Sequence, residues 1–276
     1  MDEINILVVI FNKLLNESET MLSLQNCNGI NNGDIHLHIW NNSPQSLHDD
    51  EIDWVKVNFN NCKVSIYGDG INHYLSHIYN KIISLVSMDS LLILLDHDSM
   101  VPVNFLEGIH EAVYDDKNAN INLFLPVIMS HEDVVSPAYE KFFQHSFNCS
   151  HRGAVDTSHL MAINSGMCIR TSYLKTQFPG YNEKLKFYAT DNDFMLKYRS
   201  NNTHAYVLSV IIKHSLNFIE DDVSSKVRRF KAMKEGAIII AKDKGQLSVV
   251  IEYIRFSFLV LKYSIKYRTF KFICNA

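Results

Sequence analysis

No Cys-x-x-Cys pair occurs among the five cysteines, which stand at positions 27, 62, 149, 168 and 274. An odd, scattered set of this kind gives no disulfide framework and reads as reduced thiols in a cytosolic protein. No uncharged stretch approaches the roughly 18 apolar residues of a membrane span. The longest candidate, residues 247–265, carries Glu252, Arg255 and Lys262. The N-terminus lacks the positive n-region and small-residue cleavage site of a secretory leader. Asp2 and Glu3 lead straight into an apolar run, so no leader is expected. Neither sign of charge prevails: 26 Lys and Arg stand against 30 Asp and Glu, a net charge of −4, and overall charge gives no expectation of nucleic acid. Residues 11–22 contain no glycine, so the early phosphate loop usual in a nucleotidyltransferase is missing.

Apolar residues make up 47% and charged residues 20%, close to the globular average, which excludes disorder and collagen-like structure. A chain of 276 residues forms one large domain or two small ones and can bury a substantial core. Its charge is unevenly spread. Residues 1–225 hold 14 Lys and Arg against 27 Asp and Glu, a balance of −13, whereas residues 226–276 hold 12 against 3, a balance of +9. Two different surfaces are expected, an acidic body over 1–225 and a basic extension over 226–276.

The body alternates apolar strands with amphipathic helices. Strands are read at Ile4 to Phe11, Ile35 to Trp40, Val64 to Tyr67, Leu91 to Leu95 and Ile121 to Val127. A helix is expected after Asn16-Glu17-Ser18, another over Asn72 to Ser87 and a third after Pro102. This pattern predicts an α/β fold with a mainly parallel sheet, whose ligands bind at the carboxyl ends of the strands. Residues 129–160 read as a polar loop, and their histidines, 131, 145, 151 and 159, match no metal-binding spacing. Met161 to Arg170 returns to strand character, Asp191 to Tyr198 starts a helix, and Ala205 to Ile212 is a last strand. Ser224 to Lys242 and Leu247 to Lys271 read as helices.

Asp96-His97-Asp98 follows directly on the apolar run LLILL. Paired carboxylates repel unless a cation or protons neutralise them, and hard oxygen donors suit Mg²⁺ or Mn²⁺ bound together with substrate phosphates. The plainer alternative is a turn in which Asp96 caps the next element. Asp191-Asn192-Asp193 is a second acidic pair, either a simple helix cap or the source of a general base. His214 closes an apolar strand; it is either an ordinary strand-end histidine or a further ligand beside Asp98.

In this order the features resemble those of the family 2 glycosyltransferases. Phe11-Asn12 after the first strand, Trp40-Asn41-Asn42-Ser43-Pro44 after the second and Asn72 to Asn80 before the fourth are similar to that family's successive motifs. So are the D-x-D itself, Ala162 to Arg170, the block Phe178 to Phe194 and His214-Ser215. The resemblance spans roughly residues 4 to 240. It implies a GT-A fold, a Rossmann-like mixed sheet flanked by helices, and an inverting transfer of sugar from a nucleoside diphosphate-sugar. It implies that Phe11, Asn12, Asn41 and Asn72 bind the nucleotide and that Asp96 lies near the ribose. Asp98, with Asp96 and His214, would hold Mn²⁺ or Mg²⁺; Asp191 would be the catalytic base; Asn164, Ser165 and Gly166 would border sugar and acceptor. Asn41 stands where many members have Asp, Thr190 replaces a common Glu, and His73 and Tyr74 fall near a usual Gly.

Residues 247–272 interleave Tyr253, Phe256, Phe258, Tyr263, Tyr267, Phe270 and Phe272 with Arg255, Lys262, Lys266, Arg268 and Lys271. Such a mixture suits an anionic membrane surface or nucleic acid, or simply packs with a solvated basic face. The expected partners are a nucleotide-sugar donor, a lipid-linked glycan acceptor of surface polysaccharide synthesis and the inner face of a bacterial plasma membrane, with no nucleic acid.

Overall fold

The computed structural model describes residues 3–141, 144–146, 151–186, 188–214 and 222–274. Cys149, Phe187 and Ser215 lie outside the described residues, as does the side chain of His145. In chain order the first half runs β1 (Glu3–Ile10), α1 (Glu19–Leu24), β2 (Ile35–Asn41), α2 (Asp49–Asn58), β3 (Lys63–Tyr67), α3 (Leu75–Leu85) and β4 (Ser90–Asp96). There follow β5 (Ser99–Met100), α4 (Phe105–Val113), β6 (Leu123–Ser130), β7 (Asp133–Ser136), β8 (Ala138–Lys141), β9 (Gln144–Ser146), β10 (Gly153–Asp156) and β11 (Leu160–Met161). The chain ends with β12 (Cys168–Arg170), α5 (Thr171–Thr176), α6 (Thr190–Asn201), β13 (His204–His214), α7 (Val223–Lys244), α8 (Gln246–Lys266) and α9 (Lys271–Cys274).

The main sheet has the order β10-β13-β6-β12-β4-β1-β2-β3, with β5 on β13 and β7 on β6. β3, β2, β1 and β4 are parallel, β12 runs antiparallel between β4 and β6, and β6 and β13 are parallel to each other. The expected mainly parallel α/β sheet is present.

The apolar runs are buried on both faces because helices cover both. In β1, Ile4, Ile6, Val8 and Ile10 pack with α1, α2 and α4, whereas Leu7 and Val9 pack with α3, α5 and α6. The period of two in a strand thus serves two cores at once. A third, smaller cluster, Val227, Phe230, Phe256, Val260 and Phe272, ties α7, α8 and α9 together.

Three expectations are corrected. Residues 129–160 are not one loop: they form β7, β10 and a three-stranded sheet β11-β8-β9 in which Leu160 pairs with Tyr139. These strands are short and partly exposed, so no unbroken apolar run marks them. Met161 to Arg170 is not one strand, because its Asn164-Ser165-Gly166 centre turns sharply, with Gly166 at φ 82°. The helix α2 has no forecast counterpart. Its N-terminus is held by Glu51, whose carboxylate accepts from the backbone N–H of His48 and of Leu15 at 2.9 Å each.

Candidate functional site

The carboxyl ends of the strands meet along one edge of the sheet. The register aligns Val9 of β1 with Trp40 of β2 and with Asp96 of β4. β13 reaches the same edge from the other side and pairs His214 with Ser99, one residue past Asp98. Side chains far apart in sequence therefore converge. His214 Nδ1 lies 3.4 Å from Asp98 Oδ1 and its Nε2 lies 3.7 Å from Asp96 Oδ2. One ligand atom from each of the three falls within 4.8 Å of the others.

The loop carrying the two acids is anchored by the start of α1. The Thr20 hydroxyl donates to the Asp96 carbonyl. Ser18, the N-cap of α1, donates its hydroxyl to the His97 carbonyl at 2.7 Å, and the Ser99 N–H donates to Thr20 Oγ1 at 2.8 Å. Asp96 is not a helix cap; its carboxylate faces the histidine.

Burial raises the Asp98 carboxyl above its ordinary pKa, with Asp96 adding repulsion and His214 opposing both. For His214 burial disfavours the cation, but the Asp96 and Asp98 carboxylates outweigh it and hold the imidazole above its usual pKa. Its buried Nδ1 has no hydrogen-bond partner. Two hard carboxylates and one orphaned imidazole nitrogen fit a divalent cation such as Mn²⁺ or Mg²⁺, with further positions left for phosphate oxygens and water. Among the described residues His131, His151 and His159 join no such group.

A cavity of about 640 Å³ runs from this triad to the ends of β1 and β2. Phe11, Asn42, Asn72 and Leu75 line it together with the triad, and Lys184, Lys186 and Arg228 bring cations to its wall. Asn42 ties its two sides together. Its amide donates to Asn72 Oδ1 at 2.9 Å and to the His73 carbonyl at 3.0 Å, and accepts from the His73 N–H at 2.8 Å. The neighbouring Asn41 is spent on its own turn, donating to the Gln45 carbonyl at 2.7 Å and accepting from the Ser43 N–H at 3.1 Å. Asn12, at φ 49°, donates its N–H to Ser43 Oγ at 2.9 Å. Asn41 and Asn12 thus shape the turns behind the cavity, while Phe11 and Asn72 face it. Asn42, Lys184, Lys186 and Arg228 were not singled out from sequence.

Asp191 stands in the first turn of α6 but is not its cap; the cap position is Ala189, in the left-handed region at φ 68°. Its Oδ1 accepts the adjacent Asn192 N–H, at 2.8 Å. Asp193, in contrast, is bound by Lys197 Nζ at 2.7 Å and by the Asn182 N–H at 3.1 Å, which marks it as structural. Burial lifts the Asp191 carboxyl to about 6; the Asn192 N–H lowers it and the charge of Asp96 raises it further. Asp191 lines a second cavity of about 320 Å³, roofed by Met233, Ala237 and Phe256 of α7 and α8, and Tyr188 forms part of both cavity walls.

Asn164, Ser165 and Gly166 line neither cavity but bond to residues next to both acid sites. Asn164 Nδ2 donates to Thr190 Oγ1 at 3.0 Å, one residue from Asp191. Ser165 Oγ bonds Ser99 Oγ at 2.7 Å and accepts from the Asp96 N–H at 3.4 Å. A Cβ on Gly166 would lie 2.6 Å from Pro126 Cγ and 2.7 Å from Ile212 Cδ1. Gly166→Ala is therefore expected to cost about 3 kcal/mol, from overpacking together with a left-handed backbone; urea unfolding of the two proteins measures it.

No protein-family model matches the chain, and no curated protein matches it. Solved structures do. Residues 1–349 of S. aureus TarS in complex with UDP-GlcNAc superpose with a TM-score of 0.58 at 13% identity, over 86% of this chain and 66% of that one. The mannosyltransferase PcManGT from Pyrobaculum calidifontis, in complex with GDP-Man and Mn²⁺, gives 0.60 at 8% identity, over 88% and 65%. GalNAc-T7 with UDP, GalNAc and Mn²⁺ gives 0.52 at 11%, over 87% and 48%. The fold is GT-A. The chain spans less than two thirds of the length of these structures. Among the described residues no helix is long and apolar enough to cross a membrane.

Proposed function

We propose that the protein is a metal-dependent glycosyltransferase that moves a sugar from a nucleoside diphosphate-sugar to an acceptor hydroxyl with inversion. One observation carries this reading: a nucleotide-sized cavity is lined by Asp96, Asp98 and His214, and the adjoining cavity holds Asp191, a half-buried carboxylate that forms no ion pair among the described residues. The structures of like fold were solved with UDP-GlcNAc, with GDP-Man and Mn²⁺, and with UDP and Mn²⁺, which supports the same ligand class here.

In this reading Phe11, Asn42 and Asn72 receive the base and ribose end of the donor, with Asn12 and Asn41 holding the turns that carry them. Asp96, Asp98 and His214 hold the cation, which would offset charge on the departing diphosphate. Lys184, Lys186 and Arg228 supply further positive charge to it. Asp191, with a pKa near 6, is close enough to neutral pH to take a proton from the attacking hydroxyl. An acceptor in the second cavity approaches the anomeric carbon from the side opposite the diphosphate, and one displacement inverts that centre. Asn164, Ser165 and Gly166 fix the spacing of the two carboxylate sites. The reading extends to a family 2-like enzyme of surface-polysaccharide synthesis, with a catalytic body over 1–225 and a basic extension over 226–276 that keeps it at the cytoplasmic membrane face near a lipid-linked acceptor.

A panel of UDP-, GDP-, ADP- and dTDP-sugars, screened by thermal shift with Mn²⁺ and by release of free nucleoside diphosphate, tests the proposal. At least one donor is expected to raise the Tm and to lose that effect with EDTA. Stabilisation by none of them, with no nucleotide released, would reject the reading.

A further inference from the structure

Helix α8 is apolar on two sides. Phe256 and Val260 are buried against α7 and α9. A separate set faces outward: Leu247, Val250, Ile251, Ile254, Phe258, Leu261 and Ile265 are 53–78% exposed. At 3.6 residues per turn these seven side chains fall within an arc of about 100° that runs the length of the helix. Lys262 and Lys266 project along one border of that arc, and Phe270 continues the apolar surface beyond the helix at 78% exposure. A continuous patch of this kind on a folded chain marks a docking surface.

The spacing 247, 251, 254, 258, 261, 265 would also suit a coiled-coil seam with a second copy. Charge decides between the two. Residues 226–276 hold 12 Lys and Arg against 3 Asp and Glu, and the one acid of α8, Glu252, is paired with Arg255 of its own helix at 3.1 Å. A second copy would bring like charge to like; an anionic lipid surface complements it. The stripe also has a link to the site. The cavity beside Asp191 shares Met161, Asn192, Ala237 and Arg255 with a further cavity of about 240 Å³, which ends at Ser248 and Ile251 of α8. Ile251 belongs to the stripe.

We propose that the exposed stripe of α8 lies in the interface of an anionic lipid bilayer, and that the groove beginning at Asp191 opens onto that bilayer at Ile251. The second half rests on the glycosyl-transfer reading, since it makes the groove the path of a lipid-borne acceptor; the docking itself does not. Lipid tails would cover the apolar arc, with Lys262 and Lys266 among the head groups.

Flotation of the full chain with vesicles of phosphatidylcholine, alone or mixed with phosphatidylglycerol, tests the docking. The protein floats with the mixed vesicles and remains below with the neutral ones. Ile254→Asp with Phe258→Asp, both at exposed positions, reduces partitioning by at least roughly tenfold at unchanged circular dichroism and Tm. Wild-type protein that fails to float, or a double variant that floats equally, overturns the proposal. So does a wild-type dimer by light scattering that the double variant dissociates, because the stripe would then belong to a second copy. The groove is tested with Ile251→Trp and brominated phosphatidylglycerol. New fluorescence at position 251 is quenched if the groove mouth meets the bilayer, and absence of quenching overturns that half. Nucleotide-induced stabilisation with Mn²⁺, measured on wild type and on the double variant, is the independent control. Its loss in wild type would remove the glycosyl-transfer reading and leave the docking result standing.

Discussion

Asp191→Asn is expected to bind a nucleoside diphosphate with Mn²⁺ as wild type does and to lose sugar transfer by about a thousandfold, within the range for removal of a positioned general base. Asparagine preserves the shape of the carboxylate and can still accept the Asn192 N–H. It cannot take a proton. Because Asp191 lines the second cavity and not the one lined by the triad, donor affinity should be untouched. Calorimetry of nucleotide binding beside single-turnover transfer separates the two; transfer within a few-fold of wild type removes Asp191 from the base role. Transfer by wild type should also fall as pH drops below about 6, where the Asp191 carboxyl takes up its proton.

The same variant is expected to be the more stable protein. Burial, and secondarily the charge of Asp96, lifts the Asp191 carboxyl from 3.8 to about 6, against the lowering effect of the Asn192 N–H. A raised carboxyl pKa means that the unfolded chain gives up the proton first. Below about pH 4 both states are protonated and nothing is lost. Between about pH 4 and 6 stability falls, and above that range the ionised, poorly solvated group costs up to about 3 kcal/mol. Asparagine carries no such cost. Urea unfolding without metal or nucleotide should show the variant ahead of wild type at pH 8 and level with it at pH 4; an equal gap at both pH values rejects the linkage.

The site was legible where its signal is local. LLILL followed by two aspartates marks a strand end with ligands whatever the rest of the chain does, and the strand-final His214 carries the same signature. Both arrive at one sheet edge, as the rule for strand carboxyl ends requires. Signals that depend on side-chain direction were not readable. Asn41 and Asn42 are the same residue type in one turn, yet the first closes that turn and the second lines the cavity. Asp191 and Asp193 likewise differ in what surrounds them: Lys197 and the Asn182 N–H hold Asp193, whereas Asp191 faces a cavity. Arg228 entered the cavity without a motif because α7 returns across the body, a long-range placement that no local pattern records. The strands between residues 129 and 160 escaped because they are only two to four residues long and several, such as Asp133–Ser136 and Gly153–Asp156, are partly exposed. Asn164, Ser165 and Gly166 were expected to border sugar and acceptor, and none of them lines either cavity. Their geometry shows supports for the two acid sites, with Gly166 required by the close approach of Pro126 and Ile212.

Asp98→Ala is the second variant with a large expected effect, this time on binding. His214 Nδ1 is buried, lacks a hydrogen bond and faces Asp98 Oδ1 at 3.4 Å. Removing that carboxylate leaves Asp96 and His214 alone, and two donors hold a hard divalent ion poorly. Mn²⁺-dependent nucleotide affinity should fall by about a hundredfold, the low end of what loss of a charged, directly coordinating group brings. Lys184, Lys186 and Arg228 remain, so a weaker, metal-independent component should persist and should decline with salt. His214→Ala is the informative companion. It removes a neutral donor and leaves two carboxylates facing each other, so metal should still bind, more weakly than in wild type. The order wild type, His214→Ala, Asp98→Ala in Mn²⁺ affinity, measured by calorimetry without any sugar donor, follows from the charge each ligand brings. A metal affinity unchanged in Asp98→Ala would show that the converging triad is an ion-paired strand terminus and not a metal site.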